Sequence, residues 1–482
     1  MITFLVSIIL LIIGYFVYGK FIDKFFGSSD KIVTPVRRMA DGVDYQEIKP
    51  WRIFVIQFLN IAGLGPIFGA IMGAYYGPMA YVWIVLGCVF MGAVHDYFSG
   101  MLSIRNDGMS LPGIVGKYLG KNMRYFMTVL TIFLLLAVGV AFVNGPAQLL
   151  QELTHLNMRI WLYIIFAYYI MATLLPVDKI IGKVYPFMGG ALLFMAIGVG
   201  VAMIFNFTGN IHITELSLDS FRNMHSNSAD NILYPMLFIV ISCGAISGFH
   251  ATQSPMMARC LGNEKYGRPI YYGAMIAEGI VAMIWATAAI AYCGGVEGLN
   301  ASGKSPAILV NEICDSWLGR LGAIIAVVGV VVCPITSGDT AFRSMRLILA
   351  DGLKYNQKKI YNRLLLSLPI FIVAYFLSQF DFSMIWKYVG ITNQILATIT
   401  LWTISSYLVK KHKFHWLSTF PAIFLTCVCA TYFMIAPNNV GGFHLAHGLS
   451  YIIGLGVGIL AFILFYENII LPENKIKNES KN

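Results

Sequence analysis

Polar and titratable side chains are sparse in this chain of 482 residues, and those inside its apolar stretches are the ones placed to do chemistry. One group is Ser242, Ser247, His250, Thr252, Gln253 and Ser254, in a stretch that also holds Gly244, Gly248 and Pro255. Such density in hydrocarbon is costly unless the groups pair or line a cavity. His250 can carry a proton near neutrality, line a site, or bond carbonyls freed by an interrupted helix. A second group is Gln57 and Asn60, followed by Gly63, Gly65 and Pro66. Glycine permits irregular backbone and Pro66 suits the first turn of a new half-helix, whose positive end favours a carboxylate. The alternative is a simple kink or close packing through small residues. A third group, Thr336, Ser337 and Asp339, follows Pro334. Its oxygens suit a small hard cation or a proton, although Asp339 can instead pair with Arg343 one turn later. His95-Asp96 reads as a proton relay or as a brace for the next loop through Arg105 or Arg259. Glu278 lies mid-stretch, where a carboxylate costs about 2.5–3.5 kcal/mol, so it needs a partner such as Arg346 or Arg259. No Walker A, GxSxG or HExxH pattern occurs, so no catalytic residue, enzyme activity or cofactor is expected, and any concentrative work must draw on an ion gradient.

These residues have to be positioned by helices in a bilayer. The chain is 58% hydrophobic and 12% charged, with mean hydropathy +0.73, which excludes a soluble domain. About 20 apolar residues cross about 30 Å of hydrocarbon. On that measure thirteen spans are expected: 2–18, 53–76, 78–104, 124–148, 159–177, 186–206, 232–258, 270–296, 317–349, 363–380, 384–409, 417–436 and 447–472. The first has no basic n-region before it and no small-residue cleavage site, and is expected to be retained. Most of the eight Cys fall inside spans and none forms a CxxC pair, so neither disulfide nor structural zinc is expected. His444 and His447 lack a third ligand nearby.

The net charge of +10 does not point to nucleic acid. Loop 19–52 holds seven Lys and Arg, 105–124 four, 178–185 two, 259–269 three, 343–363 six, 410–416 three and the tail three. These alternate loops hold 28 of the 33, which sets the N-terminus outside and the C-terminus in the cytoplasm. Asp178 and Lys179 mark an inner boundary.

The two Gly/Pro-broken stretches fall in the second and seventh spans. Matched breaks in two halves of a chain are the best sequence pointer to a transporter's binding site. Spans 2–6 and 7–11 then form two five-helix units, and because five is odd the units enter the membrane in opposite directions. The expected division is 1–52 (an extra helix and cytoplasmic loop), 53–206, 232–409, and 417–482 (two extra helices and a tail).

At Ile61-Ala-Gly-Leu-Gly-Pro66, Gly92-Ala-Val-His-Asp96, Arg105-Asn-Asp-Gly-Met-Ser-Leu111, Ser247-Gly-Phe-His-Ala-Thr-Gln-Ser-Pro255 and Pro334-Ile-Thr-Ser-Gly-Asp-Thr-Ala-Phe-Arg343 the chain resembles the carbon starvation protein A (CstA) family, in its short form. The resemblance implies uptake of peptides under nutrient limitation, or of pyruvate with protons. It also implies the LeuT-like five-plus-five inverted repeat of the amino acid–polyamine–organocation superfamily, with its first and sixth core helices broken. A cation site between the first and eighth core helices then maps onto Ala62 to Gly65 with Thr336 and Ser337. Longer members carry a His pair before the first break, where this chain has Ile56-Gln57.

The resulting expectation is an all-α secondary transporter of a bacterial inner membrane. It takes in peptides or pyruvate, with H+ preferred to Na+ as coupling ion. Substrate is assigned to Gln57, Asn60, Gly63, Gly65, Pro66, Ser247, Gly248, His250, Thr252, Gln253 and Ser254. Coupling is assigned to Ala62, Thr336, Ser337, Asp339, His95, Asp96 and Glu278. A passive channel or a starvation sensor on a transporter scaffold are the alternatives. No nucleic-acid partner is expected, and the oligomeric state is not indicated.

Overall fold

The computed structural model describes residues 1–174, 185–206, 212–357, 359–380, 382–438 and 441–479. Asp178 and Lys179 lie outside them. The described residues are helical and joined by loops, with one isolated parallel bridge between Ile48 and Leu261. In chain order the helices are α1 (Ile2–Phe26), α2 (Pro35–Met39), α3 (Pro50–Ala62), α4 (Gly65–Ala74), α5 (Met79–Arg105), α6 (Leu111–Leu119), α7 (Lys121–Thr154), α8 (Met158–Leu174), α9 (Tyr185–Asn206), α10 (Leu233–Val240), α11 (Gly248–Ala258), α12 (Glu264–Tyr292), α13 (Val296–Ser302), α14 (Pro306–Leu353), α15 (Ile360–Leu377), α16 (Phe382–Lys410), α17 (Trp416–Ile435) and α18 (His447–Lys475).

Helices dominate because hydrocarbon offers the backbone no other hydrogen-bond partner. Eight of them are long and apolar enough to cross a bilayer, and the bent pair α3–α4 makes a ninth. That count covers the described residues alone, among which Leu233–Ala258 is interrupted and Met158–Ala172 is a shorter apolar helix. Two expected boundaries move. The first span continues to Phe26, which shortens the following loop, and the ninth begins at Pro306 and turns at Gly319, whose φ is +67°.

The two breaks occur where glycine and proline predicted them. Gly63 (φ +30°) ends α3, Pro66 lies in the first turn of α4, and the two helices bend by 54°. The chain unwinds again from Ile241 to Ser247, with Gly244 at φ +91°, before Gly248 opens α11. α5 and α12 are buried along most of their length, whereas α1, α15 and α18 turn apolar side chains outward.

The basic loops gather on one face. Lys413 Nζ donates to the Phe25 and Phe26 carbonyls (2.5 and 2.9 Å), Arg105 to the Gly27 carbonyl and Glu264, and Arg259 to the Gly108 carbonyl and Asp351. On the opposite face the N-terminal ammonium meets Glu215, and Asn300 donates to the Tyr75 and Met224 carbonyls.

Candidate functional site

The two breaks pack against each other. A Cβ on Gly65 would run into the Cys243 side chain, one on Gly73 into Ile241, and one on Gly69 would come within 2.9 Å of the Val240 carbonyl oxygen. Gly92 of α5 closes the other side of the second break, against the Ala245 carbonyl.

Side chains from neighbouring helices take up the backbone groups that the unwinding frees. Trp83 Nε1 donates to the Ile241 carbonyl at 2.9 Å and Gln394 Nε2 to the Phe238 carbonyl at 2.6 Å. Asn393 Oδ1 accepts the Phe249 N–H at 2.7 Å, capping α11, and its amide exchanges hydrogen bonds with Ser247. At the first break, Ser337 Oγ donates to the Leu59 carbonyl (2.9 Å) and the Cys333 thiol approaches the Gly63 carbonyl (3.7 Å). The Ile67 and Phe68 N–H groups both close on the Leu64 carbonyl. Asn393 and Gln394 escaped the sequence reading, although two adjacent amides inside 384–409 were a signal of the same kind as Gln57 and Asn60.

The expected site residues divide three ways. Gln57, Asn60, Gly63, Gly65 and Pro66 sit at the first break, all buried, and no polar atom of the Gln57 and Asn60 amides has a hydrogen-bond partner. In the second half-helix, Thr252 donates to the Phe249 carbonyl and Ser254 to the His250 carbonyl, both within their own helix. Gln253 instead faces α14, accepting from Ser344 at 3.3 Å and donating to Thr252 at 2.9 Å. Gly248 packs its backbone against Asn393 and Ala397 of α16.

The third division is a buried chain of acids and imidazoles. His95 Nδ1 lies 2.8 Å from Asp96 Oδ1, His250 Nδ1 lies 2.8 Å from Asp96 Oδ2, and His250 Nε2 lies 3.3 Å from Glu278 Oε2. All four side chains are fully enclosed. They join α5, α11 and α12 behind the second break, and the Cys243 thiol completes a group with His250 and Glu278 that could hold a metal ion. Two expected partnerships are thereby corrected. Glu278 meets His250 rather than Arg259 or Arg346, and Asp96 meets the two histidines rather than Arg105 or Arg259. Those arginines are engaged at the loop face: Arg105 by Glu264, Arg259 by Asp351 and Arg346 by Asp44 and Gln357. An arginine would have had to be drawn from that interface into the bilayer centre, whereas α11 brings His250 there unaided.

Asp339 stands apart on α14. Its Oδ2 accepts the Tyr185 hydroxyl at 2.6 Å, while Arg343 one turn on donates to the Ala172 carbonyl at 2.7 Å. Thr336 bonds within its own helix, to the Cys333 carbonyl, and Ala62 is buried at the end of α3.

Among known proteins, the family model described as "Carbon starvation protein CstA" matches residues 1–149, 127–307 and 307–432. An uncharacterized membrane protein of Haemophilus influenzae is 45% identical over 346 residues, covering 62% of this chain and 93% of that one. The peptide transporter CstA of Escherichia coli is 24% identical over 552 residues, covering 87% and 78%. Two solved structures overlay on the fold. One is the manganese transporter of Eremococcus coleocola in complex with an aromatic bis-isothiourea substituted compound (TM-score 0.53, 13% identity, 91% and 99% of the two chains). The other is Mhp1, a nucleobase-cation-symport-1 family transporter, in a closed conformation (TM-score 0.53, 14% identity, 88% and 94%). These overlays concern the fold, which is LeuT-like.

Proposed function

The chain belongs to the carbon starvation protein CstA family, and from that premise we propose that it is a secondary transporter taking peptides or small carboxylates such as pyruvate into the cell. The observation that carries this reading is the meeting of two unwound stretches at Gly65 and Cys243, beside the unpartnered amides of Gln57 and Asn60. Irregular backbone at membrane depth is tolerated where it is enclosed by protein or lines a cavity, and paired breaks are where transporters of inverted-repeat design bind cargo. Relatives named peptide transporters support the peptide branch.

In this reading the substrate carboxylate meets the backbone at Gly65, with Gln57, Asn60, Ser247 and Gln253 as side-chain contacts. Asp339, held by Tyr185 beside the helix that touches the first break, exchanges the coupling proton. The ion acts only if it and the substrate favour the same conformations differentially. The repeats are 53–206 and 232–409, in a bacterial inner membrane, with the N-terminus outside and the C-terminus in the cytoplasm.

Uptake into proteoliposomes under imposed proton and then sodium gradients, with pyruvate and di- and tripeptides as substrates, tests the assignment. Asp339→Asn keeps an acceptor for Tyr185, so the variant should fold and exchange substrate but lose gradient-driven accumulation. Normal accumulation by this variant would remove Asp339 from the mechanism, and conductance without saturation would replace the transporter with a channel.

A further inference from the structure

We propose that Cys243, His250 and Glu278 form a binding site for one divalent transition-metal ion of borderline softness, such as Zn2+ or Co2+. One ligand atom from each lies within 4.8 Å of the other two. His250 Nε2 and Glu278 Oε2 are 3.3 Å apart, close to the edge of a tetrahedron whose centre is about 2.0–2.1 Å from each ligand. The thiol lies within 4.8 Å of both other ligand atoms, and it sits on the unwound stretch rather than inside a helix.

The second observation is independent of that convergence. Apart from facing each other at 3.3 Å, neither oxygen of Glu278 nor Nε2 of His250 has a hydrogen-bond partner, and both side chains are fully buried. Breaking a buried charge away from its partners costs several kcal/mol. A packing role would be met at lower cost by an apolar residue, so these three atoms point at a ligand they share. Thiolate, imidazole and carboxylate suit Zn2+ and Co2+, whereas Mg2+ and Ca2+ prefer six or more oxygens.

The shell behind the site fits the same reading. His250 Nδ1 bonds Asp96, whose other oxygen bonds His95, each at 2.8 Å. A carboxylate behind an imidazole fixes its tautomer and turns the remaining nitrogen lone pair to the metal. Binding releases two protons to solvent, the thiol proton and the one shared by His250 Nε2 and Glu278, and replaces them with bonds from sulfur, nitrogen and oxygen to the metal. The divalent ion with one thiolate and one carboxylate is then neutral, which suits a dry site. The three ligands come from the unwound stretch, α11 and α12, so an ion here ties the second break to its neighbours and holds it in this arrangement.

This site does not depend on the transport reading, because binding is measured on the purified full-length chain in detergent. Co2+ is expected to bind once per chain and to produce a thiolate-to-cobalt charge-transfer band that Zn2+ abolishes. Cys243→Ser should remove the band and lower affinity at least tenfold. Asp96→Asn, acting through the position of His250, should weaken binding about tenfold while keeping the band. Two controls should change nothing: Cys88→Ser, whose thiol instead donates to the Met275 carbonyl, and Cys427→Ser, packed against Gly458. A band that survives Cys243→Ser, follows Cys88 or Cys427, or never forms would overturn the site. Full Co2+ binding with no uptake of any tested substrate would leave the site standing and remove the transport reading alone.

Discussion

At the scale of single residues, the centre of the molecule separates polar groups that hold the fold from polar groups that have nothing to hold. Asn393 belongs to the first kind, because it caps α11 through the Phe249 N–H and grips Ser247. Asn393→Ala leaves the Phe249 N–H without a partner and Ser247 with the Cys243 thiol alone, and should cost about 1–3 kcal/mol, read as an earlier thermal transition in detergent. Asn60 belongs to the second kind, as both atoms of its amide are buried and unpartnered. Asn60→Leu exchanges an orphaned amide for an apolar group of similar size, so stability should hold or rise while substrate affinity falls. If Asn60→Leu melts earlier and transports normally, its amide is structural. The sequence showed that His250, Asp96 and Glu278 needed partners but not which ones, because burial cost is a property of one residue and a partner is a property of two.

At the scale of elements, the small residues along α4 and α5 let the second break approach closely. Gly65→Ala places a methyl group against Cys243 and should cost about 1–3 kcal/mol through overpacking. Adding Cys243→Ala to Gly65→Ala should recover part of that loss, and a double-mutant cycle with no coupling would show that the two breaks are not in contact. A second device is the bracing of α12 against α5 at the loop face, where the fully buried Glu264 meets Arg105 at 2.6 Å. Arg105→Gln removes the charge opposite that carboxylate, leaving it the Ser29 N–H, and should lower stability by about 3 kcal/mol, the low end of the range because Arg105 is partly exposed. The Gly/Pro spacing made the existence and place of both breaks legible, since these residues act through local backbone geometry. The helices that cap the breaks come from elsewhere in the chain and carry no local mark of that task.

For the whole molecule, the gathering of basic loops on one face is a collective property of the fold. Lys413 reaches Phe25 and Phe26, and Arg259 reaches Gly108 and Asp351, across large separations in sequence. With that face in the cytoplasm, trypsin should cut beside the exposed Lys354 and Lys359 in inside-out vesicles and not in right-side-out ones. Cleavage in right-side-out vesicles alone would invert the orientation. The apolar flanks of α1, α15 and α18 face outward, as expected where lipid rather than water surrounds the fold.

The amino-acid sequence by itself determined that the chain lies in a membrane, where its backbone is interrupted and which loops share a side. Each of these follows from the transfer cost or backbone freedom of neighbouring residues. Only the tertiary structure decided that Glu278 finds His250, that Asp339 finds Tyr185 and that Asn393 caps the second break. Many helix arrangements satisfy the same local costs, and choosing among them takes the packing of separate helices, more than a hundred residues apart for Asp339 with Tyr185 and for Asn393 with Phe249.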